Sequence, residues 1–194
     1  MGCEIELKAH VPEERVEDLV CRLRDLNGSV YLGEIKKYDI YWSDNEEGEP
    51  HFRTRYESSA DGERVLFTQK PMKKKDYCTE YNIENEFEAP PGEWERIQTF
   101  IKGIGLVICR IKIKNGYHFA VNLDNMELHS EVLNVKHLGW FIETEICGDD
   151  IEKMDKEAAE HALYKLLSLL EVPVSAVEPM GYNKMLKAVG HERG

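Results

Sequence analysis

The stretch EIELK, Glu4 to Lys8, decides how the rest of this chain is read. Ile5 and Leu7 alternate with Glu4, Glu6 and Lys8. In an extended strand, alternate side chains point to opposite faces. The segment therefore predicts a strand with one oily face and one face carrying two carboxylates and an ammonium. A row of fixed charges on a strand faces either bulk water or other charges.

The same parity recurs along the chain. Arg53 and Arg55 share a face in HFRTRYES, and Lys70 lies near the end of the next strand, ERVLFTQKP. Arg110, Lys112 and Lys114 alternate with Ile111 and Ile113. Glu84, Glu86 and Glu88 oppose Ile83 and Phe87, while Glu143 and Glu145 oppose Ile142, Thr144 and Ile146. Asp124 follows the alternation of FAVNL. One reading is ordinary: an antiparallel sheet with one solvated face. The other is that the charged faces converge on a shared interior. Like charges cluster within strands, where mixed signs would repel less. Arg stands where Lys would serve solubility, and its planar fork suits phosphate oxygens. A buried basic cluster calls for a polyanion and a buried acidic cluster for a divalent cation, because uncompensated charge in a low dielectric is costly. A triphosphate with Mg²⁺ or Mn²⁺ answers both.

The remaining pattern alternates strands with helices. After the first strand a helix is expected, with Pro12 in its first turn, Val16, Leu19, Val20 and Leu23 on one face, and Gly28 at its end. SVYLGEIKKYDIYW, Ser29 to Trp42, is rich in β-formers, and His51 to Pro71 reads as a hairpin. MKKKD reads as an exposed mobile loop and Thr79 to Ala89 as a strand. PPGEWERIQTFIKGIG predicts a short helix with Trp94, Ile97, Phe100 and Ile101 inward. Leu106 to Met126 reads as two strands joined at Asn115-Gly116, a strong hairpin signal. GWFIETEIC adds a strand, about Ile151 to Leu170 a helix with Ala159, Leu163, Leu166, Leu167 and Leu170 on its apolar side, and about Tyr182 to Val189 a last short helix. The total is about eight strands in an α+β arrangement, whose exposed edges closure into a β-barrel would remove. Trp42, Trp94 and Trp140 are expected between helices and barrel.

The chain's 194 residues, 42% hydrophobic and 32% charged, suit one soluble domain spanning 1–194. No apolar run is long enough to cross a bilayer, and MGCEIELK has neither a signal-peptide core nor the Ser or Thr that myristoylation favours at its sixth position. Five scattered cysteines without a C-x-x-C pair fit a reducing cytoplasm. A net charge of −12 disfavours nucleic acid as a partner, and no membrane partner is expected.

Taken in order, these strands resemble the CYTH superfamily, the triphosphate tunnel metalloenzymes, on the side of the class IV adenylyl cyclases and thiamine triphosphatases. EIELK is similar to the family's ExExK opening, KYDIYW, with Tyr38, Asp39 and Tyr41, to its strand of Tyr and Asp, HFRTRYE to its Arg-x-Arg strand and LFTQKP to its Lys-Pro strand. IENEFE resembles the Glu-x-Glu strand, with Asn82 in place of Arg; CRIKIK stands for Lys-x-Arg with the order reversed. VNLDNM resembles the Asp strand, LGWFIETE the closing Gly-x-Phe-x-Glu-x-Glu strand, and GYNKML the Ser-Tyr-x-x-Leu-Leu helix with Gly181 for Ser.

The resemblance implies an eight-stranded antiparallel barrel enclosing a triphosphate tunnel, with helices outside. It implies Glu4, Glu6 and Lys8 as the catalytic group. Lys8, Arg53, Arg55, Lys70, Arg110 and Lys112 would bind the triphosphate, and Glu4, Glu6, Asp124, Glu143 and Glu145 would hold Mg²⁺ or Mn²⁺. The activity implied is a class IV adenylyl cyclase, forming cyclic AMP and pyrophosphate from ATP, or a triphosphate phosphohydrolase. Asn82 and the reversed Arg110–Lys112 pair keep an alternative, a catalytically silent nucleotide- or polyphosphate-binding module. A plain structural protein with solvated charge is the other rival. Glu84 and Glu86 read equally as salt-bridge partners of tunnel cations. Members occur as monomers and as homodimers.

Overall fold

A computed structural model describes residues 2–76, 79–148 and 155–191, with side chains described for 4–69, 84–148 and 155–191. Eight strands are present: β1 Gly2–Val11, β2 Ser29–Ser43, β3 Phe52–Ser59, β4 Gly62–Asp76, β5 Thr79–Ala89, β6 Val107–Leu123, β7 Met126–Val135 and β8 Gly139–Gly148. Four α-helices accompany them: α1 Val16–Asp25, α2 Trp94–Gly103, α3 Lys156–Leu169 and α4 Tyr182–Ala188. The strands are ordered β1-β5-β4-β3-β2-β6-β7-β8, all antiparallel. The ring closes where β1 meets β8, in register from Cys3 opposite Gly148 to Val11 opposite Trp140. Closure gives each strand a hydrogen-bonded neighbour on both sides.

Strand parity separates the two surfaces of this ring. Ile5, Leu7 and Ala9 of β1 join Leu19 and Leu23 of α1, Leu163 and Leu166 of α3, and Phe119, Leu128 and Val132 in one buried apolar cluster. Each of the larger side chains among them contributes about 1.5–3 kcal/mol by leaving water. Their alternates, Glu4, Glu6 and Lys8, face the barrel interior. The expected α1 face, Val16, Leu19, Val20 and Leu23, is the buried one. So are the expected residues of α3, which starts from an Asp155 cap accepting from the Ala158 N–H at 3.0 Å. A second cluster sets Ile40 and Trp42 of β2 against Ile101 of α2, with Trp94 and Ile97 partly buried. Phe100, expected inward, is 68% exposed. Ile97 and Ile101 complete the buried stripe of α2 without it.

Two segments differ from expectation. Asn115-Gly116 is not a turn: β6 runs unbroken through it from Val107 to Leu123. A Cβ on Gly116 would meet the Val132 carbonyl oxygen, so glycine here allows β6 and β7 to approach closely. The turn lies at Asp124-Asn125, both left-handed (φ 53° and 61°), between the paired residues Leu123 and Met126. That is the two-residue hairpin geometry that favours Asp and Asn. MKKKD is not a loop either: β4 extends to Asp76 and pairs with β5 from Met72 opposite Ile83 to Asp76 opposite Thr79.

Candidate functional site

The interior faces of β2, β3 and β6 stack charged side chains in three cross-strand rows. Arg53, Tyr41 and Arg110 form the first, Arg55, Asp39 and Lys112 the second, and Glu57, Lys37 and Lys114 the third. Asp39 is fully buried at their centre. It accepts from Arg55 Nε at 2.6 Å and Nη2 at 3.1 Å, and lies 3.2 Å from Lys112 Nζ and 3.9 Å from an Arg53 nitrogen. Burial opposes its ionisation, but Arg55, Lys112 and Arg53 together hold its carboxyl well below the usual range. One aspartate thus braces three cations that would otherwise repel one another.

The remaining cations differ in how fully they are matched. Lys37 is bound by both oxygens of Glu131, at 2.5 and 2.6 Å, and Lys114 by Glu143 at 2.7 Å. Arg110 is 6% exposed, and its acidic neighbour, Glu49 at 3.7 Å, stands 93% exposed in solvent. Arg53 donates to Thr68 Oγ1 at 2.8 Å, and its buried Nε has no hydrogen-bond partner among the described residues. Glu86 accepts from Thr68 at 2.6 Å and lies 3.8 Å from Arg53, in line with a salt-bridge role. Lys8, 9% exposed, projects from β1 opposite Glu143 of β8.

Carboxylates gather at the other stretch of β1. Oxygens of Glu4, Glu6 and Glu145 lie within 4.8 Å of one another. Glu145 sits directly opposite Glu6 across the β1–β8 seam. Burial, reinforced by Glu4, Glu131 and Glu6, pushes the Glu145 carboxyl up to about 8. Three converging hard oxygen donors, one of them unable to ionise freely beside the others, fit a divalent cation of the Mg²⁺ or Mn²⁺ type. Glu143 stands nearer the cations: burial disfavours its charge, but Lys114 and Lys112 hold it well below the ordinary carboxylate range.

Of the residues expected in a site, the structure brings Glu4, Glu6 and Glu145 together, and sets Lys8, Arg53, Arg55, Arg110, Lys112 and Glu143 on the same interior surface. It does not bring Asp124 there. As part of the β6–β7 turn, its carboxylate is taken by Lys165 of α3 at 2.6 and 2.8 Å on the outer surface. The Lys70 backbone lies in β4; its side chain and that of Asn82 fall outside the described residues.

The sequence reading assigned no role to Asp39, Lys37, Glu57, Glu131 or Tyr182. The first two share the parity of Tyr41 in KYDIYW, a signal that was present. Glu131 alternates only weakly in ELHSEVLNV. Tyr182 is the first residue of α4 and packs against Phe141 of β8, ring to edge at 5.0 Å. Nothing local in the sequence says that its ring enters the barrel. Burial, then the charge of Glu143, push its phenol well above the ordinary value, so it stays protonated.

No protein-family model matches the chain, and no curated protein matches it in sequence. Solved structures do match. The PH1819 protein of Pyrococcus horikoshii OT3 superposes with a TM-score of 0.71 at 19% identity, covering 96% of this chain and 99% of its own. A candidate adenylate cyclase of Vibrio parahaemolyticus gives 0.68 at 16% identity, covering 95% and 97%. HpAC1 of Hippeastrum, a candidate adenylyl cyclase with a dominant triphosphatase activity, gives 0.63 at 15% identity, covering 98% and 96%. The class defined by these neighbours is the barrel fold expected from the resemblance to the CYTH superfamily.

Proposed function

We propose that this chain is a divalent-metal-dependent enzyme that binds a triphosphate inside its barrel and catalyses displacement at phosphorus. One observation carries the reading: a single closed interior holds both the Glu4–Glu6–Glu145 cluster and the Arg and Lys rows braced by Asp39. The fold shared with proteins described as adenylyl cyclases, one with triphosphatase activity, supports it.

Arg53, Arg110, Lys112 and Lys8 bind phosphate oxygens and fix the chain's conformation, which supplies much of the rate by positioning. Arg55 does so while remaining anchored on Asp39. Glu4, Glu6 and Glu145, with Glu143 beside them, hold Mg²⁺ or Mn²⁺. When bound, the ion neutralises charge on the phosphates and lowers the pKa of a bound water or hydroxyl. In hydrolysis, a water oxygen bonds to phosphorus, the bridging P–O bond breaks, and the shortened phosphate leaves with the bond's electrons. In cyclisation, the ribose 3′-hydroxyl takes the place of water at the α-phosphorus and pyrophosphate leaves. Cationic side chains stabilise the leaving group in both cases.

The setting is a reducing cytoplasm, in keeping with the free thiols of Cys21 and Cys109. No helix among the described residues is long and apolar enough to cross a membrane. The deciding experiment incubates pure protein with ATP, tripolyphosphate or thiamine triphosphate, each with Mg²⁺ or Mn²⁺. Cyclic AMP with pyrophosphate identifies a cyclase, and free phosphate a phosphohydrolase. Binding without turnover identifies a silent module, and failure to bind any of the three refutes the proposal.

A further inference from the structure

Outside the barrel, where α2 begins, three aromatic rings meet. Tyr38 of β2 and Tyr56 of β3 stand opposite each other across the strand pair. Their chain neighbours Asp39 and Arg55 face the interior, so these two rings lie on the outer surface. Trp94, the first residue of α2, stands beside both, its ring centroid 6.2 Å from Tyr38 at 83° and 5.7 Å from Tyr56 at 65°. With Pro91, Gly92 and Glu95 the three rings line an open cavity of about 580 Å³, within the size range of small-molecule sites. A Cβ on Gly92 would meet nothing within 4 Å, so the turn leading into α2 does not crowd this space.

The groups around the cavity share one sign. Each aromatic face carries the negative side of a quadrupole. Carboxylates add to it: Glu95 lines the cavity, and Glu63 accepts a hydrogen bond from the Tyr56 phenol. The nearby Arg96 is held by Glu93 at 3.3 Å. Elsewhere, rings with a cation in reach take it from the chain itself: Tyr31 from Arg24, Tyr41 from Lys112, and Tyr182 from Lys8, Lys112 and Lys114. Among the described residues, no Lys or Arg lies over Tyr38, Tyr56 or Trp94 in this way. We propose that this cavity binds a small organic cation of the quaternary ammonium class, held against the faces of Trp94, Tyr38 and Tyr56 and by the charge of Glu95. A quaternary ammonium has no N–H donor to keep in water, so it can exchange its hydration for aromatic faces. The site is separate from the barrel interior, since β2 and β3 stand between them, and it does not depend on the triphosphate reading.

The test titrates the protein with choline and, in parallel, with its neutral carbon analogue, in which a tert-butyl group replaces the trimethylammonium group. Binding is followed by NMR, through the Trp94 indole N–H and through the methyl resonance of each probe, which ring faces shift upfield. The probes have nearly the same shape and differ in charge, so their affinity ratio separates cation–π and ionic attraction from apolar burial. Wild type is expected to bind choline at least about fivefold more tightly than the analogue. Trp94→Leu keeps apolar bulk and should lose most of that preference, and Glu95→Gln should reduce it about twofold or more. Equal affinity for the two probes, no saturable binding of choline, or a preference undiminished in either variant overturns the proposal. If Trp94→Leu has a much lowered thermal midpoint, the ratios in wild type and Glu95→Gln decide. Neither probe carries a phosphate, so each outcome leaves the triphosphate reading to its own test.

Discussion

At the scale of single residues, the interior cations divide by how they are held. Arg55 is clamped on fully buried Asp39 by two hydrogen bonds, whereas the carboxylate paired with Arg110 among the described residues, Glu49, stands in solvent. Arg110→Ala should therefore weaken tripolyphosphate binding at least tenfold with little change in the ligand-free thermal midpoint. Arg55→Ala should destabilise the fold itself by about 3 kcal/mol, because it removes both hydrogen bonds to buried Asp39 and leaves that carboxylate to Lys112 and Arg53; paired denaturation and titration curves distinguish the two effects. Glu145 makes a pH prediction. Its carboxyl titrates at about 8 in the folded protein and near 4.3 in an unfolded chain. Between those values the folded state holds a proton that the unfolded chain has lost. Stability without metal therefore declines as pH rises through that window, and the loss is complete above pH 8. Glu145→Gln should flatten that slope in urea titrations at several pH values. Metal must displace the same proton, so apparent Mg²⁺ affinity should rise from pH 6 to pH 8 in wild type and lose that rise in the variant. Asp124→Asn should leave metal affinity unchanged, since Lys165 already occupies that carboxylate outside the barrel.

At the scale of elements, periodicity was legible wherever one face packs on helices. Val16, Leu19, Val20 and Leu23 of α1 and the apolar positions of α3 could be read directly, because the 3.6-residue period mirrors a buried stripe. Likewise Ile5 and Leu7 could be told from Glu4 and Glu6, because a strand between helices and a cavity sorts its residues by parity. What escaped reading was which segments were continuous. The expected strand count came out at eight because splitting β6 at Asn115-Gly116 offset overlooking β7. A glycine wanted for a turn and one wanted for close approach look alike in sequence; only the Val132 carbonyl beside Gly116 tells them apart. Gly116→Ala should consequently lower the thermal midpoint by several degrees or more, as steric strain in the β6–β7 pair requires backbone to move. Alanine at a true Asn-Gly turn would instead act through left-handed φ.

At the scale of the whole molecule, the acidic balance and the anion-binding proposal are reconciled by placement. The chain carries a net charge of −12, while Arg55, Arg110, Lys112 and Lys114 are all buried. The net charge of the whole molecule therefore repels an anionic ligand, and moderate salt should speed tripolyphosphate association by screening that repulsion, measurable by stopped flow between about 10 and 150 mM salt. The fold class was legible because eight alternating strands admit few arrangements that hide their edges; the pairing order was not, because β1 lies beside β5 and β8, far from it in sequence. The seam between β1 and β8 has a further result for the life of the chain. Glu6 and Glu145 sit on its two sides, so the acidic trio does not exist until the first ribbon has waited through synthesis of most of the polypeptide and then docked with the last. Such distant pairing makes refolding slow, in milliseconds to seconds, and a burst of Mn²⁺ uptake during renaturation would mark the instant at which the cylinder shuts.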